Sequence, residues 1–389
     1  MTFSWTKPKP IEILETIYNK ALVEFEKDKG NSFIENLSTN AQLWIYEIGG
    51  SPERHKATVA VLATLLTKKI ETPSQDIRYH RTDLERGFSG RSYDTLYITP
   101  FIKEKFGTKF AMKESGWLTR SFEKPEPFLL NYTGKITPTS LKYAFLHILD
   151  DVEKGGAKLA EQYLVALFIY LLRRKREIEA LIAETTIISP KKEVTINQIT
   201  QCLEEHFLSQ LASRLPVIAI YSAYKVLMEE VRRYKGKRLN PLRAHVSPDL
   251  YAGLGDIEVV DEKGEYFEVV EVKYGKPIDV GLIEDIYGKI KNRRVKRYCL
   301  LTTAEPYVKT GDEISIKSWI EKIRKECGCE VIINGVIPTI RYYLRLMENP
   351  SKFISVYAAS LQEEFKLRFA ITEEHVKDWF RKMEKLLGR

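Results

Sequence analysis

The sequence predicts an α/β fold in which helices pack over a central sheet, with a mostly helical region before it. After Thr195 the apolar patterns switch between helical and strand periods, in the order helix, strand, strand, helix, strand, helix, strand. Before Thr195 the well-patterned segments have helical periods. With 389 residues the chain is long enough for two domains or three.

The first 190 residues are predicted to form the helical region. Residues 11–30 and 53–71 have apolar side chains at helical spacing. Residues 76–107 are rich in Arg, Gly, Tyr and Ser without a clean period, which predicts ordered loops with one short strand and one short helix. Residues 140–184 are strongly helical, and their middle is apolar nearly all round, which predicts a buried helix.

A linker is predicted at Ser189–Thr195, where proline and charge precede Thr195, a candidate helix N-cap. Two helices are predicted over 195–234 and a hairpin over 256–273. Helices and strands then alternate up to a helical segment that starts near Pro338. The predicted domains are therefore 1–190, 191–340 and 341–389.

Charge is unevenly distributed along the chain. The net charge is +8, and two basic runs, residues 231–248 and 289–297, each hold six Lys or Arg and no acid. These runs flank the hairpin. They predict a surface that contacts phosphates, the alternative being a solvated basic face.

Several classes of protein and site are disfavoured. There is no run of about 18 apolar residues and no apolar stretch at the N-terminus, so we expect a cytoplasmic protein without a membrane partner. Cys327 and Cys329 have no second cysteine pair and no nearby histidine, so a zinc site is not expected.

The hairpin has an unusual second strand, which ends in charged residues within an apolar stretch. A turn at residues 261–264 sets Asp256 opposite Val269. Side chains alternate between the faces of a strand, so Asp256, Glu271 and Lys273 are predicted to share one face. Val270 and Val272 point to the other face, towards the core. Glu258 also has the parity of Asp256 and is predicted to be a surface charge, the alternative being a group that supports the site residues.

Two carboxylates close together repel each other unless a cation lies between them. Oxygen ligands suit Mg²⁺, which also binds water and phosphate oxygens. The predicted ligands are Asp256, Glu271 and Val272, the last able to offer only main-chain atoms. Lys273 could orient a water or stabilise charge that develops on a phosphate. The alternative is an exposed strand end with a Glu–Lys pair.

Residues 215–305 resemble the core of the PD-(D/E)xK nuclease superfamily. That core is a helix, three strands, a helix and a strand, with an aspartate on one strand and (D/E)-x-K on the next. The resemblance implies that Asp256, Glu271 and Lys273 are catalytic. It also implies a Mg²⁺ cofactor, for which we expect Mn²⁺ to substitute.

Other acids remain open as ligands. The superfamily often adds an acid from the preceding helix, which Glu229 or Glu230 could supply here. The literal Pro-Asp dipeptide is Pro248–Asp249, so Asp249 is an alternative to Asp256. Asp256 is preferred because it begins an apolar strand and has the parity of Glu271.

The layout of the whole chain is similar to type II restriction endonucleases of the SacI family. The likeness consists of Phe88, Ser89 and Arg91 in an F-S-x-R segment, a long helical middle and a late G-D strand leading to E-V-K. It implies a cytoplasmic, site-specific endodeoxyribonuclease that cuts double-stranded DNA at a short palindrome, acts as a homodimer and has a genetically linked DNA methyltransferase.

Basic side chains on predicted loops and in the two basic runs are candidates for contacts with DNA. Arginines near the acids of residues 76–94 could instead be structural. The candidates are Arg78, Arg81, Arg86, Arg91, Arg120, Arg243, Lys289, Arg293 and Arg294.

Two other functions stay open at this point. One is a repair or modification-dependent nuclease of the same fold, which the lack of a recognisable NTP-binding loop or zinc module disfavours. The other is a non-catalytic DNA-binding protein with a nuclease-like core. Clustered carboxylates facing phosphates argue against it, because a protein that only binds DNA does not need them.

Overall fold

The chain forms two compact units, Met1–Leu181 and Ile182–Arg389. The structure, a computed structural model, describes residues 9–122, 124–185, 194–242, 253–367 and 370–387. The division falls close to the predicted boundary after residue 190, while the predicted linker lies mostly outside the described residues. The predicted C-terminal segment, 341–389, belongs to the second unit.

All regular secondary structure described in the first unit is helical, while residues 72–89 and 124–138 form loops and turns. Its α-helices are α1 (Lys9–Asp28), α2 (Asn31–Glu35), α3 (Thr39–Gly49), α4 (Lys56–Glu71), α5 (Gly90–Tyr93), α6 (Thr99–Phe106) and α7 (Thr139–Glu184). A π-helical turn at Asp94–Ile98 joins α5 to α6. The prediction of a short strand within 76–107 is wrong, because that segment contains helices, turns and loops. The segment as a whole has no clean period, but Tyr93, Tyr97 and Phe101 recur at the helical spacing of four, and the first two rings pack edge to face.

The apolar middle of α7 lies in the protein interior, as predicted: every residue of Tyr163–Leu172 is buried. The helix is kinked at Gly156, whose backbone has a φ of 72° and a ψ of −164°. By composition, one 18-residue window of α7 could cross a membrane, and 61% of that window is buried within the fold.

The second unit contains a five-stranded mixed sheet and seven α-helices among its described residues. Its elements are α8 (Ile196–Phe207), α9 (Leu215–Glu230), β1 (Arg238–Leu239), β2 (Ile257–Val260), β3 (Tyr266–Lys273), α10 (Val280–Ile290), β4 (Arg297–Thr302), α11 (Glu313–Cys327), β5 (Glu330–Gly335), α12 (Val336–Leu346), α13 (Ser351–Leu367) and α14 (Glu373–Leu387). The predicted α/β class is confirmed. Thr195 caps α8 in a reciprocal pair with Gln198, as its position predicted.

The sheet has the order β1-β2-β3-β4-β5, with antiparallel pairs up to β3 and parallel pairs after it. Helices α10 and α11 cover one face, where Ile283, Ile286 and Ile323 pack on Val269 and Leu300. Helices α9 and α12 lie on the opposite face. Strand β3 is therefore central and is covered on both sides.

The register of the hairpin differs from the prediction. Val269 pairs with Glu258, whereas Asp256 was expected opposite it. One residue of the shift comes from the turn, because the Asp261 N–H binds the Glu265 carbonyl and leaves three residues in the loop. The second comes from a bulge between Val259 and Val260. A shift of two preserves the face of each side chain, so the predicted parity holds.

Gly255 lies against β3 just before Asp256. A Cβ at Gly255 would be 2.6 Å from Val269 Cγ1 and 2.8 Å from the Val270 carbonyl oxygen. We expect Gly255→Ala to lower the free energy of unfolding by about 1–3 kcal/mol, because the strand must move to admit the methyl group. Chemical denaturation of the full chain measures this.

The control is Gly288→Ala in α10, where a Cβ meets no atom within 4 Å. It should be neutral or stabilise by roughly 0.5–1 kcal/mol, because alanine favours a helix interior over glycine. An equal loss of stability in both variants would contradict the proposed packing of Gly255.

Candidate functional site

The C-terminal end of β3 presents two opposite charges on one face of the sheet. Glu271 and Lys273 point to the side of Val269, while Val270 and Val272 point to the other side and are buried. The Lys273 ammonium donates to Glu271 Oε1 at 2.7 Å. The Glu271 side chain is 14% exposed and the Lys273 side chain is 31% exposed, so the pair is close to solvent.

Asp256 is held directly beside this pair. It comes immediately before β2, and its carboxylate accepts a 2.9 Å hydrogen bond from the main-chain N–H of Val272. Continuing the pairing of Ile257 with Val270 by one residue sets Asp256 opposite Glu271. The three residues predicted to be catalytic are therefore neighbours on one face.

A buried acid that was assigned to the surface supports the approach to Asp256. Glu258 is 2% exposed, so the prediction of a surface charge is wrong. Its Oε1 accepts from the Leu254 main-chain N–H at 2.9 Å, and its Oε2 accepts from Asn240 at 3.1 Å. A position between apolar neighbours in a strand is also typical of a solvent-facing residue, so no local signal marks the burial of Glu258.

Tyr298 on β4 holds the same segment from the sheet side, because its hydroxyl donates to the Leu254 carbonyl. Burial raises the pKa of Tyr298 well above its usual range, and the negative charges of Glu271 and Asp256 raise it further. Tyr298 therefore stays a neutral donor and lies within the field of both carboxylates.

The residues present fit a hard divalent cation. Mg²⁺ is commonly held by one or two carboxylates and completes its shell with water and phosphate oxygens. Asp256 and Glu271 supply that number, although no group of three His, Cys, Asp or Glu side chains is found in the described part of the chain. Val272, the third predicted ligand, uses its main-chain N–H to bind Asp256.

The structure does not bring the two alternative acids of α9 to this site. Glu229 and Glu230 end α9 and contact Lys352 of α13 at 2.7 and 3.4 Å, and Glu230 also accepts from the Glu348 main-chain N–H. Their helix covers the face of the sheet opposite Glu271. Asp249 lies outside the described residues.

Two of the predicted DNA-binding arginines of the first unit are paired with acids. Arg78 binds Asp76 at 2.7 Å and Asp150 at 3.4 Å. Arg81 makes two 2.9 Å contacts with Asp83. These ion pairs agree with the alternative stated from the sequence, in which the arginines pair with nearby acids and have a structural role. Arg86, Arg91 and Arg120 are exposed.

The described basic candidates of the second unit lie away from Glu271. Arg293 and Arg294 precede β4, which runs parallel to β3. They therefore lie at the edge of the sheet where β3 and β4 begin, whereas Glu271 lies at the opposite edge, where β3 ends. Lys289 is exposed near the end of α10, which leads to the same edge. Arg294 is 84% exposed and contacts Glu265 at 3.1 Å. Arg243 lies outside the described residues.

Comparison with known proteins gives no family assignment: no protein-family model matches the chain, and no curated protein is significantly similar to it.

His80 lies among the predicted DNA-binding arginines but is a core residue. It is 1% exposed, and its ring stacks on Phe128 with 3.8 Å between centroids. Its Nδ1 lies 3.3 Å from the Arg78 carbonyl oxygen. Burial lowers the pKa of His80 to about 4.

This burial predicts acid sensitivity of the first unit. In the unfolded chain His80 takes up a proton below its ordinary pKa of 6.5, but in the fold only below about 4. The contribution of His80 to stability is therefore lost as the pH falls, and at pH 5 the free energy of unfolding should be about 2 kcal/mol lower than at pH 7.5.

Urea unfolding gives the free energy of unfolding of wild type and of His80→Gln at pH 5 and pH 7.5. The difference between the two proteins in their loss of stability measures the contribution of His80. The variant should lose less stability on acidification. Parallel curves for the two proteins would show that His80 does not cause the effect.

Proposed function

We propose that this chain is a Mg²⁺-dependent endonuclease with a core of the PD-(D/E)xK type. The observation that carries the proposal is the convergence of Asp256, Glu271 and Lys273 on one face at the end of β3, with Asp256 bound to the Val272 main chain. Their order along the chain and their spacing are those of the superfamily motif.

The order of elements around the site supports the same proposal. The superfamily core is a helix, three strands, a helix and a strand. Here α9 is followed by β1, β2 and β3, then by α10 and β4. The short strand β1, within the first basic run, supplies the third strand that the sequence pattern had not indicated.

The residues of the site divide the chemistry between them. Asp256 and Glu271 would hold the cation, which when bound neutralises charge on a phosphate and lowers the pKa of a bound water. Lys273, fixed by its contact with Glu271, would stabilise the negative charge that develops on the phosphate. Mn²⁺ is expected to replace Mg²⁺.

We further propose that the substrate is double-stranded DNA cut at a short palindrome, as in type II restriction endonucleases. The support is the resemblance to the SacI family together with exposed Arg91 in the F-S-x-R segment, where Ser89 caps α5. Such an enzyme is expected to act as a cytoplasmic homodimer and to be paired with a DNA methyltransferase.

The proposal predicts discrete products from plasmid DNA incubated with the protein and Mg²⁺. Lys273→Ala, Asp256→Asn and Glu271→Gln should each reduce the cleavage rate by at least about 100-fold, because each removes charge stabilisation or a metal ligand. Chelation with EDTA should stop cleavage, and added Mn²⁺ should restore it. Gel electrophoresis of time points measures the rates.

Glu229→Gln is the matched control, because it neutralises a carboxylate of the same unit that contacts Lys352. It should cut at the wild-type rate. A smear would indicate a non-specific nuclease of the same fold, and retarded DNA without cutting would indicate a binding protein. Wild-type rates for both Lys273→Ala and Asp256→Asn would rule out this active site.

A further inference from the structure

Four cations from two distant segments surround a single aromatic ring, that of Phe267. Two come from the first basic run and two from the second, so the fold brings the runs together at the start of β3. Their charged groups lie 4.3 to 5.9 Å from the ring centroid, and together they form what we call the basic cluster: Arg233, Lys237, Lys296 and Arg297.

The bulge in the hairpin explains why Phe267 faces these cations. In a regular strand Phe267 and Glu268 would point to opposite faces. The extra residue re-aims the ring towards the face of Glu268. Tyr234 contacts both residues, because its hydroxyl donates to Glu268 at 2.8 Å and its ring packs edge to face on Phe267.

The basic cluster has more positive charge than its acidic neighbours balance. Arg233 binds Glu268, and Arg297 lies 4.0 Å from Glu268 and 3.0 Å from Glu330. The Lys237 ammonium donates to the Arg233 carbonyl. In the described part of the chain, neither Lys237 nor Lys296 forms an ion pair with a carboxylate.

A cation over a ring gains only about 0.5–1 kcal/mol at an exposed site, and four like charges around one ring repel each other. The surplus of two ammonium groups is therefore suited to an external anion. Lys296 is exposed and the Arg233 side chain is 45% exposed, so such an anion can reach them.

We propose that the basic cluster binds the phosphate backbone of the DNA whose cleavage is proposed above, as a second contact remote from the scissile phosphate. Phe267 lies four to six residues from Glu271 and Lys273 along β3, which is about 13–20 Å at 3.3 Å per residue, and its ring points to the opposite face of the sheet. The length along the strand alone corresponds to roughly four to six nucleotides of a duplex, and the change of face adds to it.

A polyanion fits this surface better than a small free anion does. The four cations spread around a ring rather than converge on one enclosed point, so each can meet a different phosphate oxygen. Contacts of this kind fix the position of a duplex without reading its sequence. The cluster therefore acts through affinity, separately from the chemistry at Glu271.

The test compares two double variants in the Lys273→Ala background, so that the DNA stays uncut. K237Q/K296Q removes the two lysines without carboxylate partners, and K317Q/K325Q removes the same charge from exposed positions on α11, on the other side of the sheet. Duplex binding is measured by fluorescence anisotropy between 50 and 300 mM salt. The expected result is that K237Q/K296Q reduces the slope of log affinity against log salt by about 1.8, and the control leaves it unchanged.

Equal slopes for the two double variants would overturn the proposal, as would failure of the parent protein to bind duplex at low salt. Competition by inorganic phosphate at low millimolar concentration would also overturn it, since that outcome indicates a site for a small free anion. If the slope changes as expected but wild type cuts no DNA with Mg²⁺, the basic cluster is supported and the proposed nuclease function fails.

Discussion

The hydrogen bond from the Val272 main chain to Asp256 fixes the geometry on which the candidate site depends. It joins a carboxylate that precedes β2 to the strand that carries Glu271 and Lys273. A hydrogen bond to a charged group contributes about 1.5–3 kcal/mol, enough to hold one loop conformation. Glu258 reinforces it by binding the Leu254 N–H. Buried Glu258 thus holds the segment before β2 in place, while Asp256 of that segment lies closer to solvent.

Strand β3 carries two glutamates whose surroundings differ by face. Glu268 is 3% exposed and accepts from the hydroxyls of Tyr224 and Tyr234 and from Arg233, so its charge is balanced by fixed donors. Glu271 is partly exposed and contacts one cation, Lys273. The first arrangement is suited to structure, because its lone pairs are occupied. The second leaves a carboxylate able to accept a further ligand.

Much of the second unit follows from short-range patterns in its sequence. The order of its main helices and strands is as predicted, because period and capping are local properties. The placement of Asp256 and Glu271 on one face of the sheet also follows, because a register shift of two residues leaves each side chain on the same face. The register itself does not, because a three-residue turn and a bulge at Phe267 each add one residue to β3.

Long-range features escaped prediction for a different reason. Glu229 was offered as a ligand because it ends the helix before the sheet. Only the packing of α9 on the far face shows that it meets Lys352 instead. The alternation of apolar residues in β2 likewise does not reveal that Glu258 is satisfied by a main-chain N–H. Pairings between distant segments depend on which face a helix covers, and no local period records that choice.

Charge is segregated along β3 and between its faces: the partly exposed carboxylate Glu271 lies at its end on one face, and the basic cluster lies at its start on the other. Salt screens charges over about 8 Å at physiological ionic strength, so cations some 13–20 Å away do little to the field at Glu271 itself. They can offset the repulsion between the carboxylates and a phosphate only through a ligand long enough to touch both ends. The separation therefore favours a polymer over a mononucleotide as the proposed substrate, because only a polymer could gain affinity at Phe267 while one of its phosphates lies beside Asp256 and Glu271.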